Sequence, residues 1–216
     1  MLLVAFTGYQ ALQARDALKV VAAEFTEIAD NLKAGDEDAA RANLETARTA
    51  VDEAQAHMRG PGWWLTGRLP GVGDDIEAVR TVTDVTDVLA NDVLPDVLTA
   101  SETLDPARLR PADGRVELAP LVDVAPEVVA AAEEMRRQEA RVAALETEHL
   151  NRQLAVPVGL MQRNLARAAT LSAKASYAVR LLPPMLGADE PRSYLLLFQN
   201  NAEVRATGGI PGAFAV

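Results

Sequence analysis

The chain contains no cysteine, which excludes disulfides, thiolate metal sites and a cysteine nucleophile. His57 and His149 are its only histidines, so His-rich metal sites and most Ser-His-Asp schemes have little to work with. Lysine is confined to Lys19, Lys33 and Lys174, and every other basic residue is arginine, as the coding bias of a GC-rich genome produces. A formal net charge of -10 and a pI near 4.7 argue against nucleic acid as a partner, because phosphate binding needs clustered Lys and Arg. The same balance disfavours broad adhesion to anionic lipid. Residues 1–12, MLLVAFTGYQAL, are apolar but stop short of the roughly 20 residues a helix needs to cross a bilayer. They also lack the charged leading region and small-residue cleavage site of a signal peptide.

What is present suffices for a folded chain. The 216 residues are 49% hydrophobic and 24% charged, enough for one large domain or two small ones with a sizeable core. Two readings of residues 1–12 stand. One is the outer end of a transmembrane helix, with Tyr9 as the aromatic at the membrane interface; the other is an ordinary buried helix start.

Helical periodicity dominates the chain from Ala11 onward. Ala11, Ala14, Leu18, Val21, Phe25, Ile28 and Leu32 alternate steps of three and four, as do Ala40, Leu44, Ala47, Val51, Ala54 and Met58. Gly35 reads as a left-handed helix stop and Asp36 as the next N-cap, which predicts an antiparallel hairpin with a coiled-coil-like seam over 13–59. Residues 60–71, rich in Gly and Pro and holding both Trp63 and Trp64, form a loop. A third helix is expected over 73–104 with Pro95 kinking it. Residues 105–120 read as an irregular connection in which 115–118 alternate like a short strand. Further helices are expected over 121–148 and 152–182, the last stopped by Pro183 and Pro184. Residues 13–182 thus form a helical bundle.

Residues 183–216 change character. The apolar run 193–198 has a strand's length, residues 199–205 are polar, and Ala213 to Val216 begins another strand. The expected fold class is mainly α: long antiparallel helices in hairpins, followed by the start of a C-terminal α+β or β region. Because a strand without partners leaves its edges bare, a continuation of this sheet-containing region is expected.

Three stretches resemble a known family. They are 182–209, with its Gln199-Asn200-Asn201-Ala202-Glu203-Val204-Arg205-Ala206-Thr207-Gly208-Gly209 string, the Trp63-Trp64 stretch through Asp74, and Leu109-Arg110-Pro111-Ala112-Asp113-Gly114. Together they are similar to an uncharacterised, mainly actinobacterial family catalogued as domain of unknown function 4012. The resemblance implies one N-terminal membrane helix, an extracytoplasmic remainder in the cell envelope and, for some members, a gene neighbourhood of exopolysaccharide synthesis. It brings no established activity and no catalytic residues. The chain departs from the family pattern at both ends, carrying little of the membrane helix and stopping soon after Gly209.

Two segments are candidate sites. If the chain leaves a bilayer near Tyr9, a helix rising about 1.5 Å per residue climbs to Gly35 and its neighbour returns. That puts Trp63 and Trp64 back at headgroup height, where their apolar bodies and polar N–H groups fit. The alternative is that both plug the base of the bundle. The second site is Gln199, Asn200, Asn201, Glu203 and Arg205, with Gly208, Gly209 and Gly212 allowing close backbone approach. Amide donors and acceptors with one acid and one cation suit a sugar or polar polymer; a structural network of loop amides and a Glu203–Arg205 or Glu203–Arg192 pair uses the same residues. The glycine spacing matches neither a P-loop nor a dinucleotide fingerprint. Asp74, Asp75, Glu77, Asp84, Asp87, Asp92 and Asp96 read as a solvated face, His57 and His149 as polar helix-end residues, and Gln138 and Ser172 as packing adjustments. No catalytic residue, metal or cofactor is expected.

The expected function is an envelope-anchored extracytoplasmic scaffold or binding module, held by its N-terminal helix to the membrane as a single-pass protein, with envelope glycan as its candidate partner. The alternatives are an enzyme acting on envelope polymers with its site beyond residue 194, or a sensor signalling across the membrane.

Overall fold

A computed structural model describes residues 2–58, 73–104, 117–200 and 210–215. Helices dominate, as the periodicity requires, and one antiparallel strand pair ends the chain.

Helix α1 (Leu2–Ala34) and helix α2 (Glu37–Met58) form the expected hairpin. The turn is built by Gly35, at φ 76°. The Gly35 N–H donates to the Leu32 carbonyl (3.2 Å) and the Asp36 N–H to the Asn31 carbonyl (2.9 Å), which satisfies two orphan carbonyls at the end of α1. The Asp36 carboxylate then accepts the Ala39 N–H at 3.0 Å, capping α2. Val21, Ile28, Leu44 and Val51 are buried in the seam, with Ala40 and Ala50 small enough to bring the axes close. Each large apolar side chain sealed there contributes on the order of 1.5–3 kcal/mol. A polar ladder fixes the register: Asn31 Nδ2 donates to Asn43 Oδ1 (2.8 Å) and Asn43 Nδ2 to Glu24 Oε2 (2.6 Å). One residue of slip would strand these part-buried amides.

The third rod consists of α3 (Gly73–Val88), a π turn (Leu89–Val93) and α4 (Leu94–Thr103). The interruption expected from Pro95 takes this form: the Leu94 N–H reaches back five residues to the Leu89 carbonyl. It leaves the Ala90 carbonyl without an intrahelical donor, because Leu94 is committed elsewhere and Pro95 has no N–H. Arg48 of α2 supplies one, its Nε 3.1 Å from Ala90 O.

The fourth rod differs from expectation. The helix expected over 121–148 is split into α5 (Ala119–Asp123) and α6 (Ala125–Ala143). Pro126 has no N–H for the Val122 carbonyl, and the chain breaks at Val124. The end comes at Ala143 rather than 148, and residues 147–149 form a single 3-10 turn. The strand expected at 115–118 is not formed by its described residues: Leu118 is αR and precedes α5. The end of α6 is closed from outside, since Gln162 Nε2 donates to the carbonyls of Val142 and Leu145, both at 3.0 Å.

Helix α7 (Arg152–Met185) starts at an Asn151 cap and, against expectation, runs through Pro183 and Pro184. In the last turn two missing N–H groups cost little continuity; what ends the helix is Gly187 at φ 89°. There the Gly187 N–H donates to the Pro184 carbonyl (3.3 Å) and the Ala188 N–H to the Pro183 carbonyl (2.9 Å), the same closure as at Gly35.

The rods alternate in direction. Met58, Ile76, Val79 and Leu154 pack together at one end. Val85, Leu89, Val93, Ala131, Val142 and Leu165 form the middle. Ala100, Leu121, Val124 and Val179 pack at the other end, where Glu37 also meets Ser101 and Arg41 meets Glu102. Gln138 and Ser172 fill packing positions with their polar atoms satisfied. Gln138 bonds Glu134 and Arg141, and Ser172 Oγ donates to the Ala169 carbonyl at 3.1 Å.

Candidate functional site

The C-terminal ribbon grows from the end of α7, where the Tyr194 hydroxyl donates to the Met185 carbonyl. Strand β1 is Leu196–Asn200 and strand β2 is Ile210–Ala215, so the strand begins three residues later than the apolar run and takes in Gln199 and Asn200. Leu196 faces Ala215, Leu197 faces Phe214 and Phe198 faces Ala213; then Gln199 faces Pro211 and Asn200 faces Ile210. Gly212 is the extra residue of this bulge. Pro211, which has no N–H for a ladder, sits beside it, where sheets tolerate proline.

Of the residues expected to form a ligand site, Gln199 and Asn200 are therefore on β1 beside the bulge, paired with Pro211 and Ile210. Asn201, Glu203, Arg205, Gly208 and Gly209 fall in the segment joining the strands, outside the described residues. Arg192 pairs with Glu190 at 3.1 Å. Tyr9 lies in the helical backbone near the start of α1, while Trp63 and Trp64 lie outside the described residues. No described helix is long and apolar enough to cross a membrane.

The ribbon is two strands wide, and the apolar side chains at the start of β1 are not sealed against the bundle. Leu195, Leu196, Leu197 and Phe198 are each more than half exposed. Alternation along a strand sends neighbours to opposite faces, so both faces of β1 are open.

A second feature was invisible in the sequence. A cleft of about 170 Å³ is lined by Asp74 and Glu77 at the start of α3 and by Glu146 and His149 beyond α6. His149 Nδ1 is 3.0 Å from Glu146 Oε2, with both side chains largely exposed, and Asp75 accepts the Asn151 N–H at 2.8 Å. The cleft is smaller than the roughly 300 Å³ at which small-molecule sites begin. Among the described residues no group of His, Asp and Glu stands at metal-holding geometry. Residues 74 and 149 are far apart in the chain, so no local pattern could have paired them.

The other acids of the third rod divide. Asp74, Glu77, Asp84 and Asp92 are solvated, whereas Asp75, Asp87 and Asp96 are half-buried. Burial pushes the Asp96 carboxyl above its usual range, and Glu127 and Asp92 add to this. Glu127 Oε2 is buried without a described hydrogen-bond partner. On the fourth rod Glu134 is held below the usual range by hydrogen bonds from Arg137 and then Gln138.

No curated protein and no solved structure matches the chain. The Trp63–Trp64 and 109–114 stretches lie outside the residues that the family match covers. Residues 189–216, which contain the whole ribbon and the polar segment between its strands, match the family described as "Protein of unknown function (DUF4012)", and the chain resembles that family.

Proposed function

We propose that this chain is a non-catalytic scaffold or binding module of the cell envelope, standing outside the cytoplasm and presenting its C-terminal ribbon to a polar polymer such as envelope glycan. The observation that carries this reading is geometric. Helix α7, about 51 Å long at 1.5 Å per residue, delivers the ribbon at the end of the bundle opposite the start of α1. An apolar start of α1 at the membrane would then hold the end of α7, from which the ribbon grows, well clear of it. Recognition of a polymer needs amides and one or two charges rather than a deep pocket, and the sequence supplies these side chains in Gln199, Asn200, Asn201, Glu203 and Arg205.

Two measurements test it. In cells expressing the protein natively, it is expected in the membrane fraction and digestible by protease added outside; recovery with soluble cytoplasmic proteins refutes the location. In vitro, the chain is expected to co-sediment with purified envelope polysaccharide, and Asn200→Ala/Asn201→Ala to weaken this about tenfold, as loss of a few hydrogen bonds implies. Equal sedimentation of the variant removes the polar segment from the reading.

A further inference from the structure

Helix α7 is patterned on two opposite sides. Its inner side buries Val158, Leu165 and Val179 in the bundle. On its outer side Val156, Leu160, Leu171, Leu181 and Met185 are each half exposed or more. These outer residues, with Arg163, Arg167, Lys174 and Ala178, continue one series of three- and four-residue steps, the spacing of a helix–helix seam. A helix that only covered the bundle would be polar on this side.

The charge on that stripe is of one sign. In a chain of net charge -10, no Asp or Glu occurs between Glu148 and Asp189, a stretch that carries Arg152, Arg163, Arg167, Lys174 and Arg180. On the other rods several surface cations are neutralised locally, Lys19 by Asp16, Lys33 by Asp30, Arg48 by Glu45 and Arg137 by Glu134, and the exposed Arg80 and Arg136 stand on helices that carry acids of their own. Among the described residues none pairs with Arg163, Arg167 or Lys174.

From this pattern we infer that the outer face of α7 is a docking surface for an acidic amphipathic helix of another protein. Its apolar side chains meet Val156, Leu160, Leu181 and Met185 at the two ends, and its carboxylates meet Arg163, Arg167 and Lys174 across the middle. A symmetric pairing of this face with itself is disfavoured by the same geometry. An antiparallel pair that matches Val156 with Met185 and Leu160 with Leu181 sets Arg167 against the other copy's Lys174 twice, and a parallel pair sets every cation against itself. A flat anionic membrane is disfavoured because apolar and cationic residues interleave on one stripe, where an interfacial helix keeps them on separate faces. Docking on this face requires no envelope location.

The test uses the whole chain and a synthetic helical peptide with leucines at the end contacts and glutamates across its centre. Saturable binding by fluorescence anisotropy is expected, with about tenfold or greater loss in Arg167→Glu/Lys174→Glu, whose two pairs turn repulsive. The same variant is expected to gain affinity for a matched peptide with lysines in place of the glutamates. These positions are solvated, so the fold survives substitution, and circular dichroism verifies it. Three binding results overturn the inference: no saturable binding of the acidic peptide, equal binding by the charge-reversed chain, or tight binding of phosphatidylglycerol vesicles with none of the peptide. Self-association that Leu171→Glu abolishes would assign the face to a second copy instead, and likewise overturns it.

Discussion

Replacing Arg48 by leucine removes the one donor that reaches the Ala90 carbonyl across the helix interface while keeping most of the aliphatic stem. Ala90 is completely buried, and its carbonyl sits in the π turn where Leu94 bonds Leu89 instead and Pro95 has nothing to donate. Hydrogen bonds from charged groups contribute about 1.5–3 kcal/mol, and a buried acceptor left bare costs a similar amount. Arg48→Leu is therefore expected to destabilise the bundle by about 2 kcal/mol, a fall in Tm of about 4–8 °C for a chain of this size. The exposed Arg48–Glu45 pair at 2.6 Å adds little. A double-mutant cycle isolates the cause. Pro95→Ala restores an N–H that can serve the Ala90 carbonyl, so in that background Arg48→Leu should cost only about 0.5 kcal/mol. Thermal and urea denaturation followed by circular dichroism measures all four chains. If the two substitutions prove additive, Arg48 does not serve the π turn and the explanation given for it is wrong.

Three further outcomes are expected. Gln162→Leu strips the external cap from the Val142 and Leu145 carbonyls and should cost about 1–2 kcal/mol by urea denaturation, with amide exchange at the end of α6 rising first. Asp96 has a raised carboxyl pKa from burial and from Glu127 and Asp92, so the native state holds its proton more tightly than the unfolded chain. Its ionisation therefore destabilises the fold at neutral pH, and the penalty is relieved as pH falls through the raised value toward the ordinary 3.8. Asp96→Asn should raise Tm at pH 7 and lose that advantage in acid; an advantage that grows in acid contradicts this. Gly35→Ala meets no atom within 4 Å of the added Cβ, so its cost is that of the left-handed backbone alone, about 1–2 kcal/mol, and Gly35→Asn should recover part of it.

Two parts of the architecture were legible because they depend on neighbours in the chain. The 3- and 4-residue steps from Val21 to Leu32 and from Ala40 to Ala54, with Gly35 and Asp36 between them, define both faces and the turn of the hairpin. The shift to alternating strand and polar residues after Gly187 marks the ribbon. Proline was the poorer guide. Pro183 and Pro184 lie in a final turn with few bonds left to lose, so the helix passes through them, whereas Pro126 falls where the chain enters a helix and splits it. Of the candidate ligand residues, Gln199 and Asn200 lie on β1 opposite Pro211 and Ile210, and residues 201–209 are outside the described region.

Local patterning thus determined by itself that this chain folds as long helices and ends in strands, since secondary-structure period and turn chemistry are properties of adjacent residues. Only tertiary structure could decide what each rod does for the next. It placed Arg48 beneath a π turn 42 residues away, Gln162 over the end of α6, and His149 beside Asp74. It also left the basic outer stripe of α7 uncovered. Those outcomes depend on which faces meet, and a face is completed by residues that no local window contains.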